Sequence, residues 1–429
     1  MISVEQHLQH ILGTAPQLSA TSVPLQAAQG CVLAEDVTAL VPVPPFDNSS
    51  MDGYAVQSAD VETATTRHPV TLSVQADLPA GTDAMPAVRP GHAVRIMTGA
   101  PIPVGADAVV QVEHTDQQPG WNPTAPHTVQ VFQPSAPGTF IRRAGSDVTI
   151  ETLVLPAGRL LGPRDLAAAA SVGHGSLPVY PAPRVGVLVT GEEVVAPGSP
   201  LAAGQIPDSN GPMLCGLVRA LGARPLDLGR VGDNRAAFRA SLTAALDGVD
   251  AVVTVGGISA GAFDVVKASL AGDPGTGSGG ITFGKVAMQP GMPQGFGVLT
   301  APDGHRVAVL CLPGNPVSAY VSAIVFLRPM LAVISHRESL DEAAQTSSAL
   351  PQAIADASWH CPANRRQYIP VLVRETDGLP HVRPVTAGGS ASHLVASLAS
   401  GQALAVVGAE RDAVEAGDLV HLLELPAGA

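Results

Sequence analysis

Lysine is nearly missing from this chain. Only Lys267 and Lys285 occur among 429 residues, so arginine supplies almost all the positive charge. The deficit matches the alanine-rich composition and reads as genome bias. With 23 basic against 36 acidic side chains the formal net charge is −13, which argues against nucleic acid as a partner. An acidic chain that binds phosphate needs a metal ion or closely placed arginines. Cys31, Cys215, Cys311 and Cys361 are far apart and form no C-x-x-C, which argues against a zinc ribbon or redox pair. Buried free thiols in a reducing, cytoplasmic setting are the expectation. The 13 histidines contain no H-E-x-x-H. No basic segment followed by an apolar core opens the chain, so no signal peptide is expected. The most apolar run, Ala319 to Leu327, is too short to cross a bilayer, so no membrane partner is expected. No internal repeat is visible.

What is present is 46% hydrophobic, with 45 glycines and 39 prolines spread throughout, which favours globular folding with many turns. The length implies three or four domains. Residues 2–13 have Ile2, Leu8, Ile11 and Leu12 on one side of an amphipathic helix. Short β-rich runs, Val70–Val74, Ala93–Met97, Ala108–Val112 and Thr128–Phe132, alternate with Gly/Pro turns as in a small all-β insertion. Residues 164–172 form a helix ending near Gly173. From Arg184 strands and helices alternate: strands at 185–190, 225–229, 251–255 and 306–312, and helices after Asp208-Ser209-Asn210, over Arg235–Leu246 and over Val317–Leu327. That alternation implies a parallel sheet with right-handed crossovers. After Arg328-Pro329 the pattern is β-rich again. Tyr368–Val373 and His381–Val385 flank an Asp377-Gly378 hairpin turn, with further strands at 403–407 and 419–425. The fold class is multidomain α/β plus β. A discontinuous linking domain (1–53 and 140–180) carries an inserted β-rich domain (54–139), and a parallel-sheet α/β domain (181–330) precedes a small β-barrel-like C-terminal domain (331–429).

The stretch Val43-Pro44-Pro45-Phe46-Asp47-Asn48-Ser49-Ser50-Met51-Asp52-Gly53-Tyr54-Ala55 is dense in turn formers and reads as neither helix nor strand. A turn that gathers Phe46, Met51 and Tyr54 beside carboxylates and hydroxyls serves either structure or a site. Three strand ends of the α/β domain open into glycine-rich turns: Thr190-Gly191-Glu192-Glu193, Gly256-Gly257-Ile258-Ser259-Ala260-Gly261 and Leu312-Pro313-Gly314-Asn315-Pro316. Glycine lets backbone N–H groups approach an anion, and a helix N-terminus adds positive potential. Such turns point to a phosphate-bearing ligand. Glu193, Asp208, Asp233 and Asp264 cluster near them. Carboxylates beside phosphate repel it unless a hard cation such as Mg²⁺ intervenes. Asp208 and Asp233 also read as helix caps. Arg142 and Arg143 form either an anion clamp or a solvated pair.

The ordered segments Asn48-Ser-Ser-Met-Asp-Gly-Tyr-Ala55, Met97-Thr-Gly-Ala100, Arg142-Arg143-x-Gly-x-Asp147, Thr190-Gly-x-Glu193, Gly256-Gly-x-Ser-x-Gly-x-x-Asp264 and Leu312-Pro-Gly-Asn-Pro-Val-Ser318 resemble the molybdopterin molybdenumtransferase family, which includes MoeA and gephyrin E domains. The resemblance spans nearly the whole chain. It implies elongated homodimers that take adenylylated molybdopterin and insert molybdate with Mg²⁺, releasing AMP. It also implies transient contact with the upstream adenylyltransferase. By motif position it gives catalytic roles to Asp52, Thr98, Asp147, Glu193, Asp233 and Asp264, with Glu193 and Asp264 as metal ligands. Nucleotide and pterin binding fall to Arg142, Arg143, Gly191, Gly256, Gly257, Ser259, Gly261, Lys285, Pro313, Gly314, Asn315 and Pro316. Molybdate falls to Gln289, Pro293, Ser318, Arg365, Ser390 and Ser392. The family often has Lys-Pro-Gly-Lys-Pro where this chain has Gln289-Pro290-Gly291-Met292-Pro293. Two cations expected to meet the oxyanion are therefore replaced. Two alternatives stay open: a catalytically reduced scaffold or pterin-binding paralogue, which the two replacements favour, and a MogA-type adenylyltransferase, against which residues 1–180 and 331–429 speak.

Overall fold

The computed structural model describes residues 1–82, 85–120, 124–258, 264–270, 280–343, 350–376, 378–386 and 395–426. They fall into two compact units. One comprises Met1–Ser22, Gly30–Ala34 and Pro178–Ala429, and the other Val23–Gln29 and Glu35–Leu177.

The second unit is built on a five-stranded sheet in the order Ala108–Gln111, Gly53–Val56, His92–Ile96, Val70–Leu78, Thr128–Val131. The four β-rich runs read from the sequence are all there. The fifth strand, Gly53–Val56, lies within the turn-rich motif that reads as neither helix nor strand. It pairs antiparallel with a neighbour on each side. Core packing on both faces overrides the local turn signals: Tyr54 and Val56 join one buried cluster and Ala55 the other. Only glycine fits at position 53, because a Cβ there would lie 2.0 Å from the Val110 carbonyl oxygen. Smaller pairings, Asn48–Ser49 with Ile141–Arg142 and Val37–Thr38 with Leu153–Leu155, join the arms that flank the insertion. The expected helix is Pro163–Ser171.

The first unit holds a six-stranded sheet in the order Arg224–Val231, Arg184–Thr190, Ala251–Val255, Arg306–Leu312, Pro293–Thr300, Thr282–Lys285. The first four strands run parallel, as the alternation implies. The last two are antiparallel additions that the alternation does not announce. Successive side chains alternate between two cores. Val253, Val255, Leu310 and Leu312 face one, and Val252, Val307 and Val309 face the other. Both faces are covered, so these strands read as continuous apolar runs.

The apolar run Ala319 to Leu327 is the middle of a longer helix. The chain stays helical from Pro316 to Ile334, with a π turn at Ala323–Leu327. The expected end at Arg328-Pro329 fails: Pro329 follows the π turn and falls in the first turn of the helical segment Arg328–Ile334, where proline is tolerated. At 19 residues the helix is long and apolar enough to cross a membrane, but most of it is buried inside the protein. The C-terminal region is a closed five-stranded barrel. Arg366–Thr376, Leu379–Pro384, Gln352–Ala355, Leu419–Glu424 and Ala403–Val407 pair in turn, and the last returns to the first.

The N-terminal helix runs Val4–Thr14, with Ser3 and Gln6 forming a capping box. Ile2 is not on its buried face. It bridges to Val286 instead, and Val4, His7, Ile11 and Leu12 face inward. His7 stands edge-on to Phe326, and its Nε2 has no hydrogen-bond partner.

Two measurements test these packings. Gly53→Ala should destabilise the second unit by about 1–3 kcal/mol through overpacking, read by urea unfolding, and an unshifted midpoint would contradict the central strand. Burial, with His10 adding to it, pulls the His7 imidazole down to about 4 from 6.5. The folded protein therefore keeps His7 neutral while the unfolded chain binds a proton. The associated stability is present above pH 6.5 and is lost as pH falls toward 4, on the order of 3 kcal/mol in all. His7→Leu should flatten this part of the pH–stability curve, and an unchanged slope would contradict the assignment.

Candidate active site

The carboxyl ends of Arg184–Thr190, Arg224–Val231, Ala251–Val255 and Arg306–Leu312 open into one cleft of about 510 Å³. It is lined by all three glycine-rich turns. Backbone contacts hold them. The Thr190 hydroxyl donates to the Val255 carbonyl at 3.1 Å, and a Cβ on Gly256 would lie 2.8 Å from Thr190 Oγ1. Gly256 and Gly257 take φ of +94° and +63°, which glycine alone adopts without strain. Asn210, at the start of the helix Asn210–Ala220, donates from Nδ2 to the Gly314 carbonyl at 2.8 Å and ties that helix end to the third turn.

Asp208 behaves as a capping residue. Its Oδ1 accepts from Gly211 N at 2.9 Å, and its Oδ2 pairs with Arg230 at 3.3 Å. Asp233 does not cap its helix. Asn234 does, accepting from Ala236 and Ala237, which leaves the Asp233 side chain in the cleft. Sequence reasoning misses the part played by Glu192. Its Oε1 accepts from Asp233 N at 3.0 Å and joins the first turn to the Asp233 loop. A carboxylate next to Glu193 is the available signal.

Glu193, Asp208, Asp233 and Asp264 all line this cleft, and no lysine, arginine or histidine does among the described residues. Burial first, then the neighbouring Glu193, Glu192 and Asp264 carboxylates, raises the Asp233 carboxyl above its usual range. The charged form is disfavoured in the fold, so an approaching cation is favoured. Among the described residues no three His, Cys, Asp or Glu side chains converge on a metal position. A hard cation here would need waters or substrate oxygens to complete its shell. The donor set fits Mg²⁺, which is commonly held by one or two carboxylates plus phosphate and water.

A separate pocket of about 250 Å³ lies in the second unit. Thr98 donates from both its backbone N and its Oγ1 to Asp52 Oδ1, each at 2.7 Å. Arg143 is engaged by Asp47 at 2.6 Å, and Ala144 N donates to the same carboxylate at 2.8 Å. The Ala144 bond and then Arg143 hold the Asp47 carboxyl below its usual range. Arg142 and Asp147 are exposed and do not line this pocket.

Pro293 and Ser318 line the α/β cleft. Gln289 pairs in register with Gln367, two residues along the chain from Arg365. The cation-free loop is anchored by Gln294, whose Nε2 donates to the Gly291 carbonyl at 2.6 Å and to Ser322 Oγ at 2.7 Å. Lys285 ends the edge strand Thr282–Lys285 and is exposed. Ser259, Gly261, Ser390 and Ser392 lie outside the described residues.

Three family models match the chain in order. They are the MoeA N-terminal region (domain I and II) over residues 2–173, a probable molybdopterin binding domain over 186–333, and the MoeA C-terminal region (domain IV) over 352–425. Molybdopterin molybdenumtransferase 2 of Mycobacterium tuberculosis is 40% identical over 99% of this chain and all of its own length. A molybdopterin molybdenumtransferase of Nostoc sp. is 33% identical over 99% of this chain and 94% of its own. The crystal structure of a molybdopterin biosynthesis MoeA protein from Pyrococcus horikoshii superposes with a TM-score of 0.71 at 26% identity, covering 99% of each chain.

The anionic cleft makes a direct binding prediction. Mg²⁺ should raise the thermal midpoint of the protein, by the equivalent of about 2.7 kcal/mol at a hundredfold excess over Kd. Glu193→Gln with Asp264→Asn should remove that shift. A shift that survives in the double variant would place the cation elsewhere.

Proposed function

The chain belongs to the molybdopterin molybdenumtransferase family, and we propose that it inserts molybdate into adenylylated molybdopterin in a Mg²⁺-dependent reaction that releases AMP. One observation carries this reading: three glycine-rich turns and four carboxylates share a single cleft that has no lining cation among the described residues. Such a cleft accepts a phosphoanhydride only together with a divalent ion.

In this reading the phosphoanhydride lies against the Gly191, Gly256–Gly257 and Pro313–Pro316 turns, where backbone N–H groups offset its charge. When bound, Mg²⁺ supplies neutralisation of the phosphoryl oxygens, with Glu193 and Asp264 as its carboxylate ligands. Asp233, held through its backbone by Glu192, orients the attacking oxygen by accepting its hydrogen bond. Asp52 and Thr98 serve the same reaction, with the Thr98 hydroxyl keeping one carboxylate oxygen fixed. Asp147, Arg142 and Arg143 keep their proposed roles by motif position, and Arg143 must release or share Asp47 to meet an anion. Molybdate is the second substrate. It is assigned to Gln289, Pro293, Ser318 and Arg365, with Ser390 and Ser392. We further propose a homodimer acting in the cytoplasm, supplied by transient contact with an adenylyltransferase, with no nucleic-acid partner. Light scattering on the purified protein tests the dimer.

Turnover of purified protein with adenylylated molybdopterin, Mg²⁺ and molybdate, read as AMP release, tests the activity. Glu193→Gln should lower it by roughly a hundredfold, the scale of losing one electrostatic contact to developing charge. A folded variant with full turnover would reduce Glu193 to a turn residue. Placing lysine at both Gln289 and Met292 should lower the molybdate concentration for half-maximal turnover. Arg365→Ala should raise it about ten- to a hundredfold, the scale of a lost charge-assisted hydrogen bond. If neither change moves the molybdate dependence, the oxyanion binds elsewhere.

A further inference from the structure

The pocket that holds Asp52 and Thr98 contains a side chain with no role so far. Arg95 is the only Lys, Arg or His among the described residues lining it, and its side chain is only 12% exposed. In the sheet Arg95 stands opposite Tyr54 on one neighbouring strand and Asp77 on the other. Its Nε donates to Asp77 Oδ1 at 2.8 Å, and its second fork donates to Asp77 Oδ2. Gly53 pairs with Ile96 in the same register, so the two strand ends leave the sheet side by side. One end carries Asp52 and the other Met97 and Thr98, and they meet through the paired bonds from Thr98 to Asp52 Oδ1.

Resting on the reading above, we propose that Arg95, gripped by Asp77, is a positioning residue that sets the strand end presenting Thr98 to Asp52. A guanidinium fork matches a carboxylate at two points and fixes an angle as well as a distance, which an ammonium cannot do. Two strands are thereby pinned by side chains in the row next to the Thr98–Asp52 pair. Errors on the order of 1 Å at such a pair cost about a hundredfold in rate.

The test uses the full-length protein with adenylylated molybdopterin, Mg²⁺ and molybdate. Arg95→Lys and Asp77→Asn should each lower kcat by about ten- to a hundredfold, with KM and the thermal midpoint little changed. Because both side chains act through the same pair, Arg95→Lys added to Thr98→Ala should slow the enzyme little beyond Thr98→Ala alone. Multiplying effects, or wild-type turnover in a folded Arg95→Lys, would each overturn the proposal. If Arg95→Lys fails to fold, the isosteric Asp77→Asn carries the same test. Asp52→Asn separates the two levels. Full activity in that variant would sink the catalytic reading of the pocket. Loss in Asp52→Asn with none in Arg95→Lys or Asp77→Asn would sink only the positioning role.

Discussion

Crowding of like charge at the carboxyl ends of four parallel strands is the constraint on which the rest of the α/β unit depends. Glu193, Asp208, Asp233 and Asp264 face one cleft, and Arg230 offsets the charge of Asp208 from its rim. Such an arrangement costs stability unless the site's ligand supplies positive charge. The fold accepts it because the strands beneath are packed on both faces by two apolar cores. The sheet provides rigidity, and the turns above it are free to serve chemistry.

Close backbone approach is the means by which these turns come together. Gly256 lies against Thr190, Gly191 leaves room for the Glu193 carboxylate, and Gly314 lies against Gly256. Each contact removes the space a β-carbon would need. Side-chain bonds then fix the turns to one another: Thr190 to Val255, Asn210 to Gly314, and Glu192 to Asp233. The cleft is a set of mutually braced turns. The same logic recurs in the other unit, where Gly53 admits a strand into a place that no larger residue could occupy.

Much of the cleft is legible in the sequence. Gly191, Gly256, Gly257, Pro313–Pro316, Glu193, Asp233 and Asp264 all stand out as loop residues after strands, and all of them line it. Local sequence does not reveal which carboxylate serves as a cap. Asp208 and Asp233 have similar local settings, yet Asp208 caps a helix and Asp233 yields that task to Asn234. Each stands two residues before its helix begins, and the choice lies with the residue between: Asn234 accepts the cap bonds, whereas Ser209 makes none with its side chain. Arg143 reads as an anion clamp or part of a solvated pair. Its engagement by Asp47 lies beyond the reach of local patterns, because the two are 96 residues apart.

Apolar periodicity and turn chemistry by themselves determined the alternating α/β unit, the all-β insertion and the β-rich end, because they are local signals and these elements follow local rules. Ordered motifs likewise marked the family and most of the cleft. Tertiary packing alone decided the Gly53–Val56 strand, the two antiparallel strands added to the parallel sheet, and the helix that continues through Pro329. In each case burial against distant residues outweighed a nearby proline or glycine. A local signal worth about 1–3 kcal/mol yields when packing several apolar side chains is worth more. The Arg95–Asp77 and Thr98–Asp52 pairs belong to the same class, since only strand register brings their members face to face.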